Sequence, residues 1–132
     1  MKAVIYARVS SREQEREGYS IPAQIKLLEE YAQRHGLNIV ERFSESETAK
    51  SSGRQEFNRM IEMVRKSKDI KDILVEKTDR LTRNLKDLVR VSDLVEEKDI
   101  NLHLVKEGEV ISRNSKSQAK FIFHFTSVRF IS

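Results

Sequence analysis

A serine and an arginine stand two residues apart in Tyr6-Ala7-Arg8-Val9-Ser10, where the apolar run that opens the chain passes into a polar stretch. A hydroxyl at a strand end beside a guanidinium suits a nucleophile aimed at a phosphate, because arginine stays charged at any working pH and binds phosphate oxygens bidentately. Much further on, Thr78-Asp79-Arg80-Leu81-Thr82-Arg83 follows a second apolar run and adds two more arginines and an acid. Attack on a phosphodiester places charge on the non-bridging oxygens, which arginines are built to receive. A dense positive field also makes the alkoxide of Ser10 less costly to form, and Asp79 is suited to orienting an arginine or handling a proton on the leaving oxygen. Arg80 and Arg83, three apart at a helix start, are expected to share one face near free N–H groups that already favour a phosphate. Arg54, at the start of another helical segment, opposes the macrodipole and hints at an anion nearby. Singly, each residue has a plainer reading. Ser10 caps a turn, Asp79 caps the helix of Leu85 and Leu88, and Arg80 and Arg83 are solvated surface charges. Their joint occurrence in loops that follow strands is what points to a site.

The elements that must position these residues alternate. Residues 2–8 read as a strand whose core, Ala3-Val4-Ile5-Tyr6, is apolar without interruption, the pattern of a strand buried on both faces. After a polar loop at 10–19, Ser20 is a good N-cap, Pro22 falls in the first turn, and Leu27, Leu28, Tyr31 and Ala32 recur at helical spacing until Gly36 stops the helix. Residues 37–43 form a second strand with Leu37, Ile39 and Phe43 inward, followed by a Ser- and Glu-rich loop at 44–53. Helical period returns in Phe57, Met60, Ile61 and Val64, a third strand in Ile73-Leu74-Val75, a further helix in Leu85, Leu88, Val91, Leu94 and Val95, and a fourth strand over 101–105. Strands alternating with helices of this length imply right-handed crossovers and an α/β fold: a mainly parallel central sheet of about four to five strands flanked by helices. Residues 106–117 read as a polar connection. Beyond it, Ser115 or Ser117 caps a helix through Phe121, Ile122 and Phe125, or the alternation of Phe121, Phe123 and Phe125 makes a strand, and periodicity leaves both readings open. Three phenylalanines so placed need cover, for which a partner subunit is one candidate.

Composition narrows the function classes. The chain has 132 residues, one domain's worth, with 25 lysines and arginines against 21 aspartates and glutamates and a net charge of +4, which permits a polyanionic partner without demanding one. The excess is uneven: Lys77, Arg80, Arg83, Lys86 and Arg90 cluster against Asp79 and Asp87. With no cysteine, neither a disulfide frame nor a thiolate metal site is available. The only glycines, Gly18, Gly36, Gly53 and Gly108, make no P-loop, dinucleotide fingerprint or nucleophile elbow. His35, His103 and His124 have no spacing suited to a metal site or a Ser-His dyad. The expectation is a soluble cytoplasmic protein without cofactor, metal, signal peptide or membrane span.

The pairing of Y-A-R-V-S at residues 6–10 with D-R-L-T-R at residues 79–83 resembles the catalytic domain of the serine recombinases, the resolvase, invertase and large phage-integrase group, from about residue 2 to about residue 125. The resemblance implies a resolvase-like catalytic domain over 1–132 and site-specific DNA recombination in which Ser10 attacks the scissile phosphate to form a 5'-phosphoserine link. It assigns phosphate binding to Arg8, Arg80, Arg83 and Arg54, an acid role to Asp79, ordering of the site to Gln14 and Gln24, and a place beneath the nucleophile to Tyr6. Glu45 stands where the family usually has aspartate, and Ala49 near a usual glycine. DNA is the implied partner, with a homodimer and an active tetramer in the full-length protein. Family members continue into a long helix and a DNA-binding domain, whereas 124–132 does not resemble that helix, so the chain is expected to be truncated there. Two other readings remain: an inactive remnant acting in oligomerisation or weak DNA binding, and a phosphate-binding α/β signalling module.

Overall fold

Ala3, Val4, Ile5, Tyr6 and Ala7 are wholly buried, as befits a strand covered on both faces, and they lie in the second strand of a five-stranded sheet. A computed structural model of the chain describes residues 1–10, 20–46 and 54–113. The elements run β1 (Lys2–Val9), α1 (Ile21–Arg34), β2 (Asn38–Ser46), α2 (Gln55–Lys66), β3 (Ile70–Val75), α3 (Thr78–Leu81), α4 (Leu85–Lys98), β4 (Asn101–Leu104), a 3-10 turn (Val105–Glu107) and β5 (Glu109–Ile111). Strand order is β2-β1-β3-β4-β5. The pairs β1–β2, β1–β3 and β3–β4 are parallel and β4–β5 is antiparallel. The α/β architecture with a mainly parallel sheet is therefore as the sequence implies. The added antiparallel edge falls in the stretch that patterning assigned to a polar connection, where three residues are too few to show a period.

Helix boundaries follow their local chemistry. Ser20 accepts a hydrogen bond from the backbone N–H of Ala23, Pro22 occupies the first turn, and Gly36 takes a left-handed φ of 67° just past the end of α1. Asn84 caps α4 by accepting from Asp87 N–H. One core lies between the sheet and α2 with α4, built on Tyr6, Phe43, Phe57, Met60, Ile61, Ile73, Leu94 and Leu102. The other face carries a smaller cluster of Ala3, Ile5, Leu28, Ala32 and Leu74 under α1.

Leu37, Ile39 and Phe43 do not share a face. Ala3 pairs with Ile39 but Val4 pairs with Glu41, so Val40 is an extra residue in β2 and the side-chain alternation inverts there. Ile39 packs under α1 while Phe43 enters the core beneath α2. Glu45, in phase with Phe43 and opposite Arg8, then comes to the face that holds Tyr6. No helix among the described residues is long and apolar enough to cross a membrane. Gln14, the 47–53 part of the Ser-rich loop, Ala49 and the segment with Phe121 to Phe125 fall outside the described residues.

Candidate active site

β1 and β3 are neighbours and run parallel, so the segments that leave their C-terminal ends start from one edge of the sheet. That edge is where open parallel sheets place ligands. Ser10 follows β1 directly and is part-exposed; Thr78, Asp79, Arg80 and Leu81 form the single turn of α3 just beyond β3. Arg8 joins the two. Its Nε donates to the carbonyl of Arg80 at 3.0 Å and its terminal nitrogen donates to the carbonyl of Asp79. Arginine 8 and the 76–83 turn, far apart in sequence, are thus in direct contact. Gln24, wholly buried on α1, accepts from Arg8 N–H at 3.2 Å and donates to Arg8 carbonyl at 3.0 Å. Its amide takes the place of β3, whose pairing with β1 ends at Ile5, and ties the serine-bearing end to α1.

Arg54 approaches from the start of α2. Its guanidinium donates to Tyr6 Oη at 3.3 Å and to Leu81 carbonyl at 3.0 Å, pairs with Asp87 at 2.9 Å, and lies 3.9 Å over the Phe57 ring. Tyr6 in turn donates to Glu45, which is only 6% exposed and also accepts from the backbone N–H groups of Glu56 at 3.1 Å and Phe57 at 2.9 Å. Arg54 itself makes no capping bond, so α2 is capped by a carboxylate from the neighbouring strand. The anion that the macrodipole argument asks for beside Arg54 is supplied by the protein's own Glu45 and Asp87. Burial, and next the hydrogen bond to Glu45, push the Tyr6 phenol well above the ordinary tyrosine range. Burial draws Arg54 below the usual arginine value, with Tyr6 and then Asp87 acting in the opposite direction.

Arg80 and Arg83 do not occupy one helix face. Arg80 lies in α3, 3% exposed, with Nε 3.0 Å from Glu76; Arg83 lies in the link to α4, where its N–H donates to Asp87 at 3.1 Å. Two helices replace the single one because Thr82 leaves α3 in extended conformation and Asn84 starts α4 anew. The side chain of Asp79 is exposed, and its carbonyl is the group that meets Arg8. Arg8, Arg54, Arg80, Tyr6, Gln24 and Glu45 therefore form one connected neighbourhood at the strand ends, with Ser10, Asp79 and Arg83 on its margin. Glu76, Asp87 and Glu107 belong to it as well; Asp87 was read only as an acid set against the basic cluster, and Glu76 and Glu107 escaped the sequence reading. The signal available was the requirement that any arginine folded into a core bring a carboxylate with it. Among the described residues no group of His, Cys, Asp and Glu is placed to hold a metal ion.

The description "Resolvase, N terminal domain" matches residues 3–129. Among solved structures, a resolvase family site-specific recombinase from Streptococcus pneumoniae is 29% identical with a TM-score of 0.78, covering 98% of this chain and 88% of its own. The N-terminal catalytic domain of TP901-1 integrase is 27% identical with a TM-score of 0.74, covering 99% and 96%. The C-terminal catalytic domain of ISC1926 TnpA, an IS607-like serine recombinase, shares the fold at 23% identity and a TM-score of 0.65, covering 97% and 80%. No curated protein matches the chain.

Proposed function

The chain belongs to the resolvase family, as an N-terminal catalytic domain of the serine recombinase type, and from that premise we propose that it cleaves and rejoins DNA through Ser10. The Ser10 hydroxyl attacks the scissile phosphorus, the bond from phosphorus to the 3' oxygen breaks, and the serine proton is replaced on the departing 3'-hydroxyl. The product is a 5'-phosphoserine ester whose reversal by an incoming 3'-hydroxyl rejoins the strand. Because the ester conserves the phosphodiester energy, the exchange needs no nucleotide hydrolysis. Arg8, Arg54, Arg80 and Arg83 receive the charge that develops on the non-bridging oxygens, and Asp79 delivers the proton to the leaving oxygen. Tyr6, Gln24 and Glu45 order these groups, and Gln14 is assigned to the same task. DNA is the partner, and a homodimer that pairs into a tetramer supplies the second set of ends. The whole of 1–132 acts as one catalytic unit.

One observation carries this reading: the Arg8 guanidinium spans from the serine-bearing strand end to the carbonyls of Asp79 and Arg80. It supports convergence of the two sequence motifs on one centre. The test is covalent capture. The chain is incubated with sheared genomic DNA from its source, quenched in denaturant, and the protein-linked DNA is recovered. A 5'-phosphoserine at Ser10, lost in Ser10→Ala, is the expected result. An adduct that survives Ser10→Ala moves the nucleophile elsewhere, and no adduct in any condition returns the chain to the remnant reading.

A further inference from the structure

The turn that carries Asp79, Arg80 and Arg83 is gripped along the same sheet edge by the turn after β4, the parallel neighbour of β3. Glu76 is buried immediately after β3, and its carboxylate accepts from Arg80 Nε at 3.0 Å and meets Lys106 Nζ at 3.3 Å. Its carbonyl accepts from Lys106 N–H at 2.9 Å. The next residue along, Glu107, accepts from Thr78 N–H at 2.5 Å and from Thr78 Oγ1 at 3.1 Å. Lys77 precedes α3 without offering a capping side chain, so Glu107 fills that place from another element. Inside the turn, Arg80 N–H reaches Lys77 carbonyl at 3.0 Å and Thr82 N–H reaches Thr78 carbonyl at 3.1 Å. A helix of one turn has too few bonds to hold its own shape. Its orientation is set by these two carboxylates, together with Arg8 and Arg54 on the opposite side.

We propose that Glu76 and Glu107 are positioning residues for strand transfer, fixing the arginine turn at the height and rotation where Arg80 and Arg83 serve the phosphate; this rests on the functional reading above. Arg80 is a buried cation whose stay in the core depends on a counter-charge. Neutralising Glu76 leaves Arg80 and Lys106 facing each other across an amide, and the guanidinium is driven toward water with the short backbone that carries it. Neither glutamate touches the reacting atoms.

The experiment uses the chain with the duplex recovered by covalent capture. Glu107→Ala slows adduct formation at saturating DNA by about tenfold or more, while the DNA concentration for half-saturation stays within about twofold, because a displaced donor costs rate rather than grip. Glu107→Gln, which keeps an acceptor oxygen for Thr78, restores most of that rate. Glu76→Gln slows the step at least as much as Glu107→Ala. Amide exchange at Arg80 and Thr82 quickens in Glu76→Gln and Glu107→Ala, and that at Ala3 and Ile5 does not. Should Glu76→Gln fail to fold, the exposed Glu107 pair decides. Normal cleavage by Glu107→Ala, or equal loss in Glu107→Ala and Glu107→Gln, overturns the assignment while a wild-type adduct at Ser10 stands. A wild-type chain that makes no such adduct overturns the functional reading itself and this role with it.

Discussion

Each face of the sheet engages a tyrosine hydroxyl in a polar network, and the two networks differ in make-up. Under α2, Tyr6 meets Glu45 and Arg54, and Arg54 continues to Asp87 and the carbonyl of Leu81. Under α1, Tyr31 Oη lies 2.8 Å from His103 Nδ1 and His103 Nε2 lies 2.7 Å from Asp72 Oδ1, with Asn101 Nδ2 3.4 Å from the same oxygen. The second network fastens a helix to β3 and β4 and ends at the buried Asp72 Oδ2, which has no hydrogen-bond partner among the described residues. The first reaches the strand ends where Ser10 emerges and incorporates guanidinium groups from three separate segments. Hydrogen-bonded polarity is common to both; guanidinium groups drawn from separate segments belong to one.

That contrast breaks most sharply at the carboxylates. Glu45→Ala removes the acceptor of Tyr6 and of two N–H groups at the start of α2, and is expected to destabilise the chain by about 2–4 kcal/mol in denaturant unfolding and to cut adduct formation by at least tenfold. Equal cleavage by Glu45→Ala and wild type would mean that the Tyr6 network is as structural as the other. Tyr31→Phe is the matched probe on the α1 face. It removes one hydroxyl bonded to His103, should cost about 1 kcal/mol, and should leave the adduct rate unchanged. A loss of rate there would bring the α1 network into the catalytic reading.

The smallest effect concerns alkaline pH. The Tyr6 phenol holds its proton more tightly when folded than when unfolded, so its contribution is complete below the unfolded tyrosine value of about 10 and is lost as pH rises above it toward the folded value. Stability should fall by up to about 1.4 kcal/mol per pH unit on that limb from this residue, and Tyr6→Phe should flatten it. Burial also raises Tyr31, ahead of the effect of the nearby Asp72, though Tyr31 lies closer to solvent. A limb that Tyr31→Phe flattens more than Tyr6→Phe would reverse the ranking of the two networks.

Much of the fold was legible because its signals are local. Uninterrupted apolar runs fix β1 and β3, Ser20, Pro22 and Gly36 bound α1, and the spacing of Phe57, Met60, Ile61 and Val64 fixes the inner face of α2. The motifs at 6–10 and 79–83 were legible for the same reason, being short, ordered strings of uncommon residues. The split of α3 from α4 was not, because a one-turn helix carries no period, and neither was β5. Nor was the bulge at Val40, since an inserted residue in a half-polar edge strand leaves the composition of both faces much as before.

The linear order of residues settled the alternation of strands and helices, the places of Ser10, Arg80 and Arg83 after strands, and the family to which the chain belongs. These depend on neighbours within a few positions. Tertiary structure alone decided that Asp87 and Glu76 would be the counter-charges of Arg54 and Arg80, that Glu45 and Glu107 would cap α2 and α3, and that Arg8 would close the gap between the two motifs. A buried guanidinium must find an acceptor, but any of many carboxylates and carbonyls would satisfy it. Which one does is fixed by strand order, by the one-residue bulge, and by where the turn after β4 comes to rest.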